Sequence, residues 1–237
     1  MDAARFACWF ALLSAGVLVA AGFGAQFGLW DFRLGFQLVR WSLYTGLATI
    51  ALALIGLVVP RWRRDRVFML IATLAIGIAI AWFPWQWQQH ARSVPPINDI
   101  TTDMENPPAF VALVAARAGL SVPTAYPGSA TAEQQKRGYP DLKPLELPLP
   151  PADAFARALA AAKAMGWEIA AADAAAGRIE ATAKTPWFGF RDDVVIRVAP
   201  APAGSRIDVR SVSRVGRGDL GTNAKRIRAY LDKLAHA

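Results

Sequence analysis

Residues 206–228, RIDVRSVSRVGRGDLGTNAKRIR, carry seven cationic side chains: Arg206, Arg210, Arg214, Arg217, Lys225, Arg226 and Arg228. Gly216 and Gly218 let successive backbone N–H groups turn toward one point, the geometry of an anion nest. A helix start follows, worth about half a positive charge. Arg214 and Arg217 can clamp a phosphate or carboxylate through paired N–H groups. The candidate binding set is therefore Arg210, Ser213, Arg214, Gly216, Arg217, Asp219, Asn223 and Arg226. Its ligand would be an envelope protein or an anionic envelope component. A structural reading uses the same residues. Asp219 or Thr222 caps the helix and fills the anion position, and Arg210 and Arg214 pair with Asp192, Asp193 or Glu180.

A second polar set is Asp99, Thr101, Thr102 and Asp103, with Asp192 and Asp193. A hydrolase or transferase could use Asp99, Asp103, Asp192 or Asp193 with arginine as electrophilic aid, provided that they converge in one cleft. Asp192 and Asp193 are adjacent, and neighbours on a strand point to opposite faces, so they make a poor acid/base pair. Residues 99–105 lack the glycine and ligand spacing of a calcium loop, which favours a turn network. Cys8 is the only cysteine and His90 and His236 the only histidines. A cysteine zinc site is thereby excluded and a histidine triad disfavoured, and neither a metal nor a cofactor is expected. No phosphate-loop or dinucleotide glycine pattern occurs. The balance favours binding over catalysis.

The positioning elements divide in two. Residues 1–89 hold seven Lys and Arg against three Asp and Glu, and residues 90–237 hold 19 against 15. The net charge of +8 is thus split evenly, too mild and divided for nucleic acid. Three uncharged windows predict transmembrane helices at about 6–30, 38–60 and 67–87, each near the length a bilayer core needs. The uncharged windows themselves, 6–30, 41–60 and 67–89, carry no Asp, Glu, Lys, Arg or His, which argues against a transporter. Trp9, Trp30, Trp41, Trp62, Trp82, Trp85 and Trp87 stand near their ends as an interfacial belt. Arg61, Arg63, Arg64 and Arg66 make the loop after the second span cytoplasmic. The expected topology is a multi-pass inner-membrane protein with a cytoplasmic N-terminus and a periplasmic C-terminal domain. A cleaved signal peptide over 1–25 is the competing reading, disfavoured by its long apolar run. Gly24 and Gly28 have GxxxG spacing, more simply read as ordinary membrane glycines.

Residues 90–151 read as a proline-rich extended strap with a short helix over 107–120, pinned by Tyr126, Tyr139, Leu142, Leu145 and Leu147. Residues 152–237 read as an α+β domain. Apolar alternation marks strands around 167–171, 178–183, 194–198 and 206–213, and helical spacing marks 152–165 and 220–234. The expected soluble fold is an antiparallel meander of about four strands flanked by two helices, with its other face polar. The aromatic loop Trp187, Phe188 and Phe190 is expected to close one end of that core rather than meet a partner or lipid.

Asn98-Asp99-Ile100-Thr101-Thr102-Asp103, Glu180-Ala181-Thr182, Phe190-Arg191-Asp192-Asp193 and Arg210-Ser211-Val212-Ser213-Arg214-Val215-Gly216, with Asp219-Leu220-Gly221 and Asn223, resemble the family called domain of unknown function 1499. The resemblance covers residue 90 to the end. It implies a compact domain of bacterial envelope proteins, with relatives in photosynthetic organelles and no activity to carry over. The order of elements is also similar to helix-grip folds, a likeness of fold alone. Oligomeric state is left open.

Overall fold

The computed structural model describes residues 3–236. They form two compact units: Met1–Ser93 with Pro186–Gly189, and Val94–Thr185 with Phe190–Ala237.

The first unit contains α1 (Ala3–Gln26), α2 (Phe32–Val58), the one-turn α3 (Pro60–Arg63) and α4 (Val67–Ser93). α1, α2 and α4 are long and apolar enough to cross a membrane, which marks the chain as a membrane protein in a lipid bilayer environment. Small residues turn inward: Ala7 and Ala11 on α1, Gly35, Gly46 and Ala53 on α2, Gly77 and Ala81 on α4. Large ones turn outward, among them Leu13, Phe27, Val58 and Phe68. That inversion of a water-soluble core suits lipid, where close backbone approach drives packing. A β-carbon on Gly46 would lie 2.7 Å from the Ala81 backbone nitrogen, so α2 and α4 meet through a position only glycine fits.

α2 begins at Phe32 rather than near 38, because Asp31 caps it by accepting the Arg33 N–H at 2.8 Å. Arg33 and Arg40 therefore lie inside the helix. α4 runs on to Ser93, through Pro84. Gly24 and Gly28 share no packing face: the side chain of Trp30 covers Gly24, and Gly28 lies beyond the end of α1 with φ +73°.

The loop Pro186–Gly189 groups with these helices. The Trp187 Nε1–H donates to the Val19 carbonyl at 3.0 Å. Its ring meets Phe83, and Phe188 packs on Phe36 with centroids 4.9 Å apart. The expectation that Trp187 and Phe188 close the α+β core is thus not met. Their flat apolar faces are spent in the helical unit.

The second unit contains β1 (Asp99–Thr101), a 3-10 turn (Ala115–Arg117), α5 (Ser129–Gly138), β2 (Leu145–Leu147), α6 (Pro151–Ala164), β3 (Glu168–Asp173), β4 (Arg178–Lys184), β5 (Arg191–Ala201), β6 (Gly204–Ser213) and α7 (Thr222–Ala235). It is α+β, with six antiparallel strands in the order β1-β6-β5-β4-β3. β2 shares the outer edge of β6 with β1. Leu145 lies opposite Ile207, and Asp99 opposite Val212. The four strands read from alternation are joined by these two short ones. Only the 3-10 turn forms within 107–120. A full helix, α5, lies in the proline-rich run, where no apolar periodicity announced it.

On one sheet face, Ile179, Val194, Ile196, Ile207 and Val209 meet Phe155 and Ala158 of α6 and Ile227, Tyr230 and Leu234 of α7. Burying each of the larger side chains contributes about 1.5–3 kcal/mol. The Tyr230 hydroxyl donates to the Ala158 carbonyl at 2.9 Å, and its ring stacks on Trp167. α6 starts at Pro151, so Asp153 sits in its first turn rather than capping it. The opposite face was expected to be polar. It is polar but covered: Phe110, Leu113 and Val122 pack on Val195 and Val212. A charged sheet face can be buried only if each charge is paired, and here arginines and carboxylates alternate across the strands.

Candidate functional site

β6 places its side chains alternately on the two faces of the sheet. Asp208, Arg210 and Arg214 go to the covered face, and Ser211 and Ser213 to the helix face. The candidate residues are thereby separated into two clusters and a turn.

On the covered face Arg210 is buried. Its Nε and Nη2 donate to the two oxygens of Asp99 at 2.9 and 2.7 Å, and it also donates to the carbonyls of Pro108 and Thr124. The rings of Phe110 and Tyr126 lie 5.4 and 5.5 Å from its guanidinium carbon. Arg214 grips Asp193 by two bonds of 2.9 Å. Asp193 also accepts from Thr182 and from Arg117, both at 2.8 Å. Asp103 and Asp208 share Arg197 and Arg206. Thr102 bonds the strand edge, its hydroxyl accepting the Val209 N–H at 2.9 Å. Thr101 is held by Gln135, whose side-chain amide accepts the Thr101 N–H and donates to the Thr101 carbonyl.

On the helix face Asn223 is the hub. Its Nδ2 donates to the Ser213 hydroxyl and to the Asn98 carbonyl, each at 3.0 Å. Its Oδ1 accepts from the Ser211 hydroxyl at 2.7 Å and from Arg226. Arg226 also donates to Asp192. Asp192 and Asp193, adjacent in sequence, thus serve different arginines on opposite faces.

In the turn, the Asp219 carboxylate accepts the Gly221 N–H at 2.9 Å and the Asn223 N–H at 2.6 Å. It holds the N-terminal end of α7, where an external anion would otherwise sit. Leu220 and Gly221 both have positive φ, 56° and 75°, which turns the chain sharply into the helix. The Gly216 carbonyl accepts from the Asn98 side chain. Arg217 is exposed. Unlike Arg210, Arg214 and Arg226, it meets no hydrogen-bond or ion-pair partner among the described residues.

The electrostatics follow the geometry. Burial pushes the Asp99 carboxyl up, against the pull of Arg210. Burial also pushes Asp219 up, opposed by the backbone N–H groups of Asn223 and Gly221. For Asp193 burial again acts upward, but the hydrogen bonds from Arg214, Thr182 and Arg117 together outweigh it and hold the carboxyl below its usual range. Tyr126 is pushed up to about 12, first by burial and then by the charge of Asp99.

Asp99, Asp103, Asp192 and Asp193 do not converge. The first is held by Arg210, the second by Arg197 and Arg206, the third by Arg226 and the fourth by Arg117 and Arg214. Among the described residues, no three His, Cys, Asp or Glu side chains gather as a metal site would require. Sequence reasoning missed Arg117 and Gln135, and it offered Glu180 only as a partner for Arg210 or Arg214. Glu180 instead accepts the backbone N–H groups of Val111, Ala112 and Leu113 at 2.8–3.0 Å. The available signal was the apolar set Phe110, Leu113 and Val122, which had no surface to cover except the charged sheet face.

Residues 99–234 match the family model described as protein of unknown function (DUF1499). A search of curated proteins found no match.

Proposed function

We propose, from the premise that the chain belongs to the DUF1499 family, that it is a multi-pass inner-membrane protein whose α+β domain acts in the periplasm as a binding module. The observation that carries this reading is the division of labour in the basic turn. Arg210, Arg214, Asp219 and Arg226 are committed to internal partners, whereas Arg217 stands exposed between two exposed glycines. That leaves one guanidinium for an acidic group on a partner. The rigid turn behind it lowers the ordering cost of binding. The competing reading, a hydrolase or transferase, needs Asp99, Asp103, Asp192 and Asp193 in one cleft, and their distribution over separate arginines favours the binding module. The four arginines of the loop after α2 support the assignment of sides.

Crosslinking in the intact envelope tests the reading. Arg217→Ala is expected to abolish a crosslinked adduct of the domain while leaving its protease resistance unchanged. An adduct of unaltered yield from the Arg217→Ala protein would remove the turn as the binding surface. Arg214→Ala is expected to fail differently, by loosening the domain through the loss of Asp193's partner.

A further inference from the structure

The buried face of α2 is formed by Gly35, Val39, Ser42, Gly46, Thr49, Ala53 and Gly56. Residues three and four apart share a helix face, which places Arg33, Gln37, Arg40 and Tyr44 together on the opposite side. Arg40, Trp41 and Tyr44 are exposed, and with Gln37 they line an open groove of about 530 Å³. Arg40 stands nine residues after the Asp31 cap, roughly 13 Å along the axis at 1.5 Å per residue, on a helix apolar enough to span a bilayer.

An arginine on the outward face of such a helix needs a counter-charge, since an unpaired cation is costly there. The described residues of the helical unit do not supply one. Asp31 and Asp65 are the only acids in residues 3–93; Asp31 caps α2 and Asp65 follows α3 at its far end. Among the described residues Arg40 has no hydrogen-bond or ion-pair partner. Trp41 and Tyr44, their rings 5.6 Å apart, are the amphipathic aromatics that favour headgroup depth. We infer that Gln37, Arg40, Trp41 and Tyr44 form a site for the headgroup of an anionic phospholipid. The Arg40 guanidinium bonds the phosphate, and Gln37 and Tyr44 serve the neighbouring headgroup oxygens. Arg33, about two turns nearer the helix start than Arg40, adds a second positive charge. With Asp31 the one acid near it, at the helix cap and bonded to the Arg33 N–H, the stripe selects a headgroup of net negative charge over a zwitterionic one.

Native mass spectrometry of the full-length protein, released from detergent with phosphatidylglycerol or phosphatidylcholine added, tests this. The wild type is expected to retain phosphatidylglycerol preferentially. Arg40→Gln should reduce that preference about tenfold, and Arg40→Lys, which keeps the charge but loses the fork, should reduce it less. Arg64→Gln, in the loop at the other end of α2, should leave it unchanged. Equal retention of the two lipids by the wild type would overturn the proposal, as would a preference that survives Arg40→Gln or is lost only in Arg64→Gln. Displacement of the lipid by millimolar inorganic phosphate would equally overturn it, by making free phosphate the ligand. The site stands or falls independently of the binding role of the α+β domain.

Discussion

Asp99 and Arg210 meet at 2.7 Å with both side chains almost wholly shielded from solvent. Removing either partner strands a charge in a poorly polarisable interior. Arg210→Ala is therefore expected to cost about 3–5 kcal/mol, and the paired replacement Asp99→Leu with Arg210→Met much less. Urea titration of the full-length protein in detergent, followed by hydrogen exchange in β6, measures both. A single variant that unfolds at the wild-type midpoint would show that the pair holds nothing. Asp193 gives a pH signature. Its folded pKa is depressed, so its contribution is complete above its ordinary 3.8 and is lost as pH falls from there through the folded value. Asp99 has the opposite sign: its pKa is raised, and its contribution is lost as pH rises. Asp193→Asn should thus be clearly less stable than wild type at pH 7, with the gap narrowing below that carboxylate range. A gap independent of pH would refute the assignment.

Among the elements, the cover of residues 106–124 is joined to the sheet by charge as much as by packing. Glu180 gathers three consecutive N–H groups of the cover. Arg117 reaches Asp193 and the carbonyls of Val122, Val212 and Ser213. Glu180→Gln weakens charge-assisted bonds, so hydrogen exchange at Val111, Ala112 and Leu113 should accelerate on the order of tenfold. Unchanged exchange there would mean that apolar contacts alone hold the cover. In the helical unit, Gly46→Leu must push α2 from α4, and a fall in the thermal midpoint of the detergent-solubilised protein is expected. β3 to β6, α6 and α7 were legible because alternation or helical spacing persists over five or more residues in each. β1 and β2 have three residues each, too few for a period, and take their conformation from the edge of β6. α5 buries only Ala132 and Gln135, so it has no apolar stripe to read. In the binding set the types of residue were legible but their faces were not: Arg210 and Arg226 look alike in sequence, yet one salt-bridges under the cover and the other under α7. Burial of Arg117 was hidden among alanines, because it bonds backbone carbonyls, those of Val122, Val212 and Ser213, and the distant Asp193.

For the whole molecule, the proposed sides of the membrane make a direct prediction. Alkaline phosphatase fused after the last residue should be active and a fluorescent protein fused there dark, with the reverse for fusions in the loop at Asp65. A bright C-terminal fusion would invert the topology and with it the periplasmic role. The order of strands carries one more consequence, in time rather than space. β6 pairs with β1, β2 and β5, yet it is the last of these six strands to be synthesised. At about 5–20 residues per second, β1 waits on the order of ten seconds for its partner. Until then its edge groups have only water or a chaperone to bond. A message truncated before residue 204 would deliver α1, α2 and α4 bearing a tail that cannot close its sheet. Such a tail would present unpaired strand edges, so closure of the sheet depends on residues 204–213.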